Sequence, residues 1–112
     1  MIEILIDIVY NPIIVISLFV LMFFKIKPPK KINSWYGYRT IRSQQSQRHW
    51  DFAQRYSARI TIGFNSILLV AQVVTYSFLG STAYVDLGLI ALWLIGMAIC
   101  IYSVERKLMK IT

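Results

Sequence analysis

The chain has 112 residues, of which 57% are hydrophobic and 15% charged, with a mean hydropathy of +0.59 and a formal net charge of +7. Ordinary globular chains carry about 25% charged residues, so this composition argues against a small soluble domain. Position argues against nucleic acid as the reason for the positive charge: all twelve Lys and Arg lie between the first and second apolar windows or after the third.

In chain order, the first window is free of charge between Asp7 and Lys25, the second between Arg59 and Asp86, the third between Asp86 and Glu105. A spanning helix needs about 20 apolar residues at about 1.5 Å each, and every window is about that long. The expected fold class is therefore an all-α membrane protein. It would be a single domain over 1–112, with transmembrane helices at about 2–24, 56–79 and 84–102 and a basic loop over 25–55 that contains a short amphipathic helix. Glu3 and Asp7 stand where a secretory signal needs Lys or Arg, and no small-x-small cleavage site follows Phe24, so the first segment reads as a retained span. Asn11-Pro12 falls inside it. Proline removes an amide donor, which predicts a kink or a fresh helix start there.

Pro28-Pro29 ends the first helix. The lysines around it are expected among anionic lipid headgroups, each contributing about 1 kcal/mol. Ser43 is placed to cap a helix beginning at Gln44. Trp50, Ala53, Ser57 and Ile60 share one face of that helix, which either lies on the membrane surface or merges into the second span. His49 reads as solvent-facing. In the second span Asn65 and Gln72 are on one face and need partners, so that face should pack inward. Gly80-Ser81-Thr82 is a turn. The third span offers two small-residue faces, one through Gly88, Ala91, Ile95, Ala98 and Tyr102, the other through Gly96 and Cys100. Cys100 is the single cysteine and reads as a packed thiol.

Lys and Arg near span ends mark the cytoplasmic side. That places the long loop and the C-terminus in the cytoplasm, and the N-terminus and the 80–84 connection outside. The chemistry of the loop is not that of an enzyme. His49 is its sole histidine and Asp51 its sole carboxylate, and there is no HExxH, phosphate-binding loop or carboxylate pair. No cofactor and no metal is expected. Trp35, Tyr36, Tyr38 and Trp50 interleave with arginines as in single-strand nucleic-acid surfaces, but beside membrane spans they read as an interfacial belt.

The stretch NSWYGYRTIRS from Asn33 to Ser43, followed by WDFA from Trp50 to Ala53, resembles the SdpI family of small bacterial integral membrane proteins. The matching positions are Asn33, Gly37, Arg39, Thr40, Ser43, Trp50 and Ala53. The resemblance implies a multi-pass protein of the bacterial inner membrane with this motif in a cytoplasmic loop. It also implies immunity to a secreted killing peptide, or signalling through a cytoplasmic regulator held at the membrane. Ser57 stands near where a family glycine is expected, and longer members have about twice as many spans.

Read physically, Gly37 supplies a turn, Asn33 fixes it, Arg39 offers a donor fork to a carboxylate, carbonyl cluster or lipid phosphate, Thr40 or Ser43 caps the next helix, and Trp50 anchors that helix at the interface. Partial burial of the Arg39 guanidinium is expected from such a shaped loop. Two other functions fit the composition. One is an accessory subunit of a larger membrane complex, or a homo-oligomer, docking through the faces of the third span. The other is a small oligomeric channel or transporter with Asn65 and Gln72 lining its path.

Overall fold

The structure, a computed structural model, describes residues 2–111 and is all-helical over them: α1 (Ile2–Tyr10), α2 (Ile13–Ile26), a short 3-10 turn (Arg42–Gln44), α3 (Gln47–Leu79) and α4 (Ala83–Leu108). The bundle is elongated, with extents of 48 × 24 × 19 Å. The long dimension matches a bilayer with its headgroups, about 40–45 Å. α3 and α4 are each long and apolar enough to cross a membrane, and the bent pair α1–α2 passes the same test taken together.

The first apolar segment is broken, not merely curved. α1 and α2 meet at 80°. Pro12 has no amide to continue the ladder. The chain closes α1 with Asn11 N–H donating to the Asp7 and Ile8 carbonyls, and α2 restarts with Ile16 N–H on the Pro12 carbonyl at 2.8 Å. The break frees the Asn11 carbonyl, and α3 supplies its partner: Gln72 Nε2 donates to it at 3.1 Å. A backbone group freed in an apolar helix pair needs a partner from a neighbour, and here the Gln72 side-chain amide of α3 provides it.

α2 and α4 both pack on α3, which is the central column. Water does not drive helices together within lipid, so close fit and interhelical hydrogen bonds must hold them. Both are present. Gly96 lies beneath the Phe64 ring so tightly that a Cβ there would run into it, and Trp93 Nε1–H donates to Asn65 Oδ1 at 3.0 Å across the same pair of helices. The inward packing expected of Asn65 and Gln72 is seen: both are fully buried. Of the two small-residue faces, Gly96 and Cys100 turn inward, while Gly88, Ala91, Ile95, Ala98 and Tyr102 are not buried against the chain.

Of three expectations, one is narrowed and two are corrected. The short amphipathic helix expected in the loop is not a separate surface helix but takes the other expected placement, merged into the helix of the second span as the first turns of α3 after the 3-10 turn. Ser43 does not cap that helix. Ser46 does, its hydroxyl accepting from His49 N–H at 3.1 Å, while Ser43 is buried in the turn with its own hydroxyl on the Thr40 carbonyl. Both later helices also overrun the expected spans, α3 beginning nine residues before 56 and α4 ending six after 102. Polar and aromatic contacts at the basic end hold these extra turns helical beyond the apolar windows.

Candidate functional site: a folded basic cap

All twelve basic residues sit at one end of the bundle: at the close of α2, in the loop, at the start of α3 and at the close of α4. The loop there is a folded cap. Asn33 builds its first turn, its side-chain oxygen accepting from the Trp35 and Tyr36 amides at 2.8 and 3.0 Å while its Nδ2 donates to the Lys31 carbonyl at 2.9 Å. Gly37 follows at φ +100°, where a side chain is strained.

The residue after the glycine is clamped to α3. Gln54 Oε1 accepts from the Tyr38 amide at 2.8 Å, and Gln54 Nε2 donates to the Tyr38 carbonyl at 2.7 Å. A side-chain amide thus mimics a strand partner. The Tyr38 hydroxyl reaches α4 and donates to Glu105 Oε1 at 2.8 Å, and Arg42 pairs with the other oxygen of Glu105 at 3.4 Å. Burial first, and then the hydrogen bond to Glu105, push the Tyr38 phenol well above its usual range, so at neutral pH it acts only as a proton-bearing donor. Thr40 Oγ1 accepts from Ser43 N–H at 3.2 Å and closes the turn.

Two further pins secure the cap. Trp50 is fully buried and its Nε1–H donates to the Pro29 carbonyl at 2.6 Å. Its expected place at the membrane interface is therefore corrected: it is a core residue, and Trp35, 87% exposed, is the aromatic left at the surface. Ala53 is also fully buried, against Val104 and Leu108 of α4. His49, expected to face solvent, is buried as well, with Nδ1 2.6 Å from Ser46 Oγ and Nε2 3.2 Å from the Ile111 carbonyl.

The structure thus brings Asn33, Gly37, Thr40, Ser43, Trp50 and Ala53 into one scaffold. Arg39 belongs to it by position but not by enclosure. Its guanidinium is exposed, not partly buried, and donates to the Ser34 carbonyl at 2.6 Å. Beside it, a hollow of about 320 Å³ opens between the cap, α3 and α4, walled by Leu21, Phe24, Met97 and Ile101 with Arg39 and Thr40 on its lining. Asn65 and Gln72 lie apart from this site. Asn65 serves the α3–α4 contact, and Gln72 serves the helix break, where Tyr76 links it to Asp86. Both ends of the Asn65 amide are bonded within the protomer, whereas Gln72 donates through Nε2 and its Oε1 is buried without a partner among the described residues. Among the described residues no group of three or more His, Cys, Asp or Glu is placed to hold a metal ion.

Sequence reasoning missed Gln54, Glu105 and the pin at Pro29. Gln54 stands one turn after Trp50 on the face singled out for packing, and a glutamine there was the available signal.

Comparison with known proteins bears on this cap. No solved structure matches the chain. A Bacillus subtilis (strain 168) protein named "Uncharacterized protein YfhL" is 60% identical over 38 residues, a stretch that is 34% of this chain and 34% of that relative. The match thus spans about a third of the relative's length. The model of the SdpI/YfhL protein family matches residues 30–103, from the cap through most of α4. With two thirds of its length matched, the cap included, this chain is a member of the SdpI/YfhL protein family.

Proposed function

We propose that this protein is a non-enzymatic component of the bacterial cytoplasmic membrane that protects against, or senses, an antimicrobial peptide. Its three crossings are the bent pair α1–α2, α3 and α4. The basic cap faces the cytoplasm and the N-terminus lies outside. Segregation of every Lys and Arg to one end supports that orientation, because cationic span ends are retained inside.

The observation that carries the reading is the contrast within the cap. Its turn-building residues are spent on one another, whereas Arg39 projects unburied beside an apolar hollow. A guanidinium next to apolar walls suits a partner that is itself amphipathic, such as a membrane-active peptide or the tail of a cytoplasmic regulator. The test is expression in a sensitive bacterium challenged with a panel of secreted killing peptides. The reading expects raised tolerance to at least one peptide, lost in Arg39→Ala and kept in Lys30→Ala. Sensitivity unchanged across the panel would reject immunity.

A second reading is an accessory subunit of a larger membrane assembly. The face of α4 from Gly88 to Tyr102 that the chain leaves uncovered favours it. Gentle extraction with mass measurement decides: a lone monomer or a pure homo-oligomer speaks against a larger complex.

A further inference from the structure

A second hollow, of about 300 Å³, lies on the flank of the cap between the end of α2 and the first turns of α3. Lys25 comes from the last turn of α2, and Arg55 and Arg59 come from successive turns of α3. Residues four apart on a helix are neighbours, so the two guanidinium groups rise side by side. All three side chains are exposed. Phe24, Pro28 and Ala58 make the remaining wall, and no carboxylate lines it.

The nearest acid by sequence is Asp51, one turn before Arg55. It is bonded by Gln47 at 2.7 Å and lines the neighbouring hollow instead. Gln54 also borders the site, but both ends of its amide are held by Tyr38. Among the described residues, none of the three cations has an ion-pair partner, and Arg59 is steadied only by the Tyr56 ring at 5.5 Å. Three like charges bordering one apolar recess repel each other, and an anion would relieve that repulsion.

We infer that this recess is a discrete binding site for one anionic membrane phospholipid. Lys25, Arg55 and Arg59 hold its phosphate, and the Phe24 wall receives the start of an acyl chain. The position selects lipid over free phosphate. The recess lies where the apolar stretches of α2 and α3 give way to charge, the depth at which headgroups lie. It also goes beyond a diffuse attraction to the basic loop, because Lys27, Lys30 and Lys31 lie outside the recess. The inference does not depend on the peptide-immunity reading and stands or falls separately from it.

The test is native mass spectrometry of the full-length protein in neutral detergent, titrated with phosphatidylglycerol and separately with phosphatidylcholine. One retained phosphatidylglycerol is expected, with phosphatidylcholine not retained. The K25Q/R55Q/R59Q variant should bind it about a hundredfold more weakly, given the usual contribution of each interfacial cation. The K27Q/K30Q/K31Q variant, with the same loss of charge, should stay near wild type. Helix content by circular dichroism checks the fold, and R55Q alone is read if the triple variant fails that check. Equal losses in the two triple variants would overturn the proposal. So would full displacement of the lipid by millimolar inorganic phosphate, or retention of an acidic peptide in place of any lipid.

Discussion

At Gly37, an added Cβ would stand 2.6 Å from both Gln54 Oε1 and Pro29 Cγ, on a backbone at φ +100°. Gly37→Ala therefore combines backbone strain with a collision into the clamp that orders the cap, and should cost about 1–3 kcal/mol in a reversible unfolding assay in detergent. Trp50→Phe keeps most of the packing but strands the Pro29 carbonyl, and should cost about 1–2 kcal/mol. Trp35→Phe, at an exposed position, should change little. Arg39→Ala belongs with the mild group for stability, because its guanidinium is exposed, and any larger effect should appear in function. Tyr38 adds a pH dependence. Its folded pKa lies above the ordinary value of 10, so above pH 10 the unfolded chain releases a proton that the folded chain keeps, and stability falls as pH rises. Tyr38→Phe should show a shallower alkaline decline than wild type in the same assay.

Among the elements, α3 and α4 offer a paired test on two glycines with opposite surroundings. Gly96 is covered by Phe64, whereas nothing lies within 4 Å of a Cβ at Gly88. Gly96→Leu should loosen the helix pair by about 1–3 kcal/mol, and Gly88→Leu should stay within about 0.5 kcal/mol for the protomer alone. Much of this layer was legible. Proline at position 12 announced the break, and the polar face of α3 announced burial. What the sequence leaves open is partner choice. Asn65 and Gln72 look equivalent seven residues apart, yet one bonds a tryptophan on α4 and the other a carbonyl freed by Pro12. Ser43 reads as the cap, and it is the depth of the turn that gives the role to Ser46, three residues on. In the cap, the local turn of Asn33 and Gly37 was readable because it closes within a few residues. The clamp of Gln54 on Tyr38 and the bond from Tyr38 to Glu105 were not, since they join positions 16 and 67 residues apart.

Across the whole molecule, one end is cationic and tied together by side-chain bonds from the loop to α3 and α4, while the other turns at Gly80 and carries no Lys or Arg. The proposed orientation sets these ends on opposite sides of the membrane, with the cap inside. Single-cysteine variants in a Cys100→Ser background test it most directly, using a membrane-impermeant maleimide on intact cells. Tyr84→Cys and Trp35→Cys place thiols at positions 90% and 87% exposed, one at each end, and Ile2→Cys reports on the segment before the break. Ile2→Cys and Tyr84→Cys should be labelled from outside, and Trp35→Cys only after permeabilisation. External labelling of Trp35→Cys, or protection of Ile2→Cys, would contradict it.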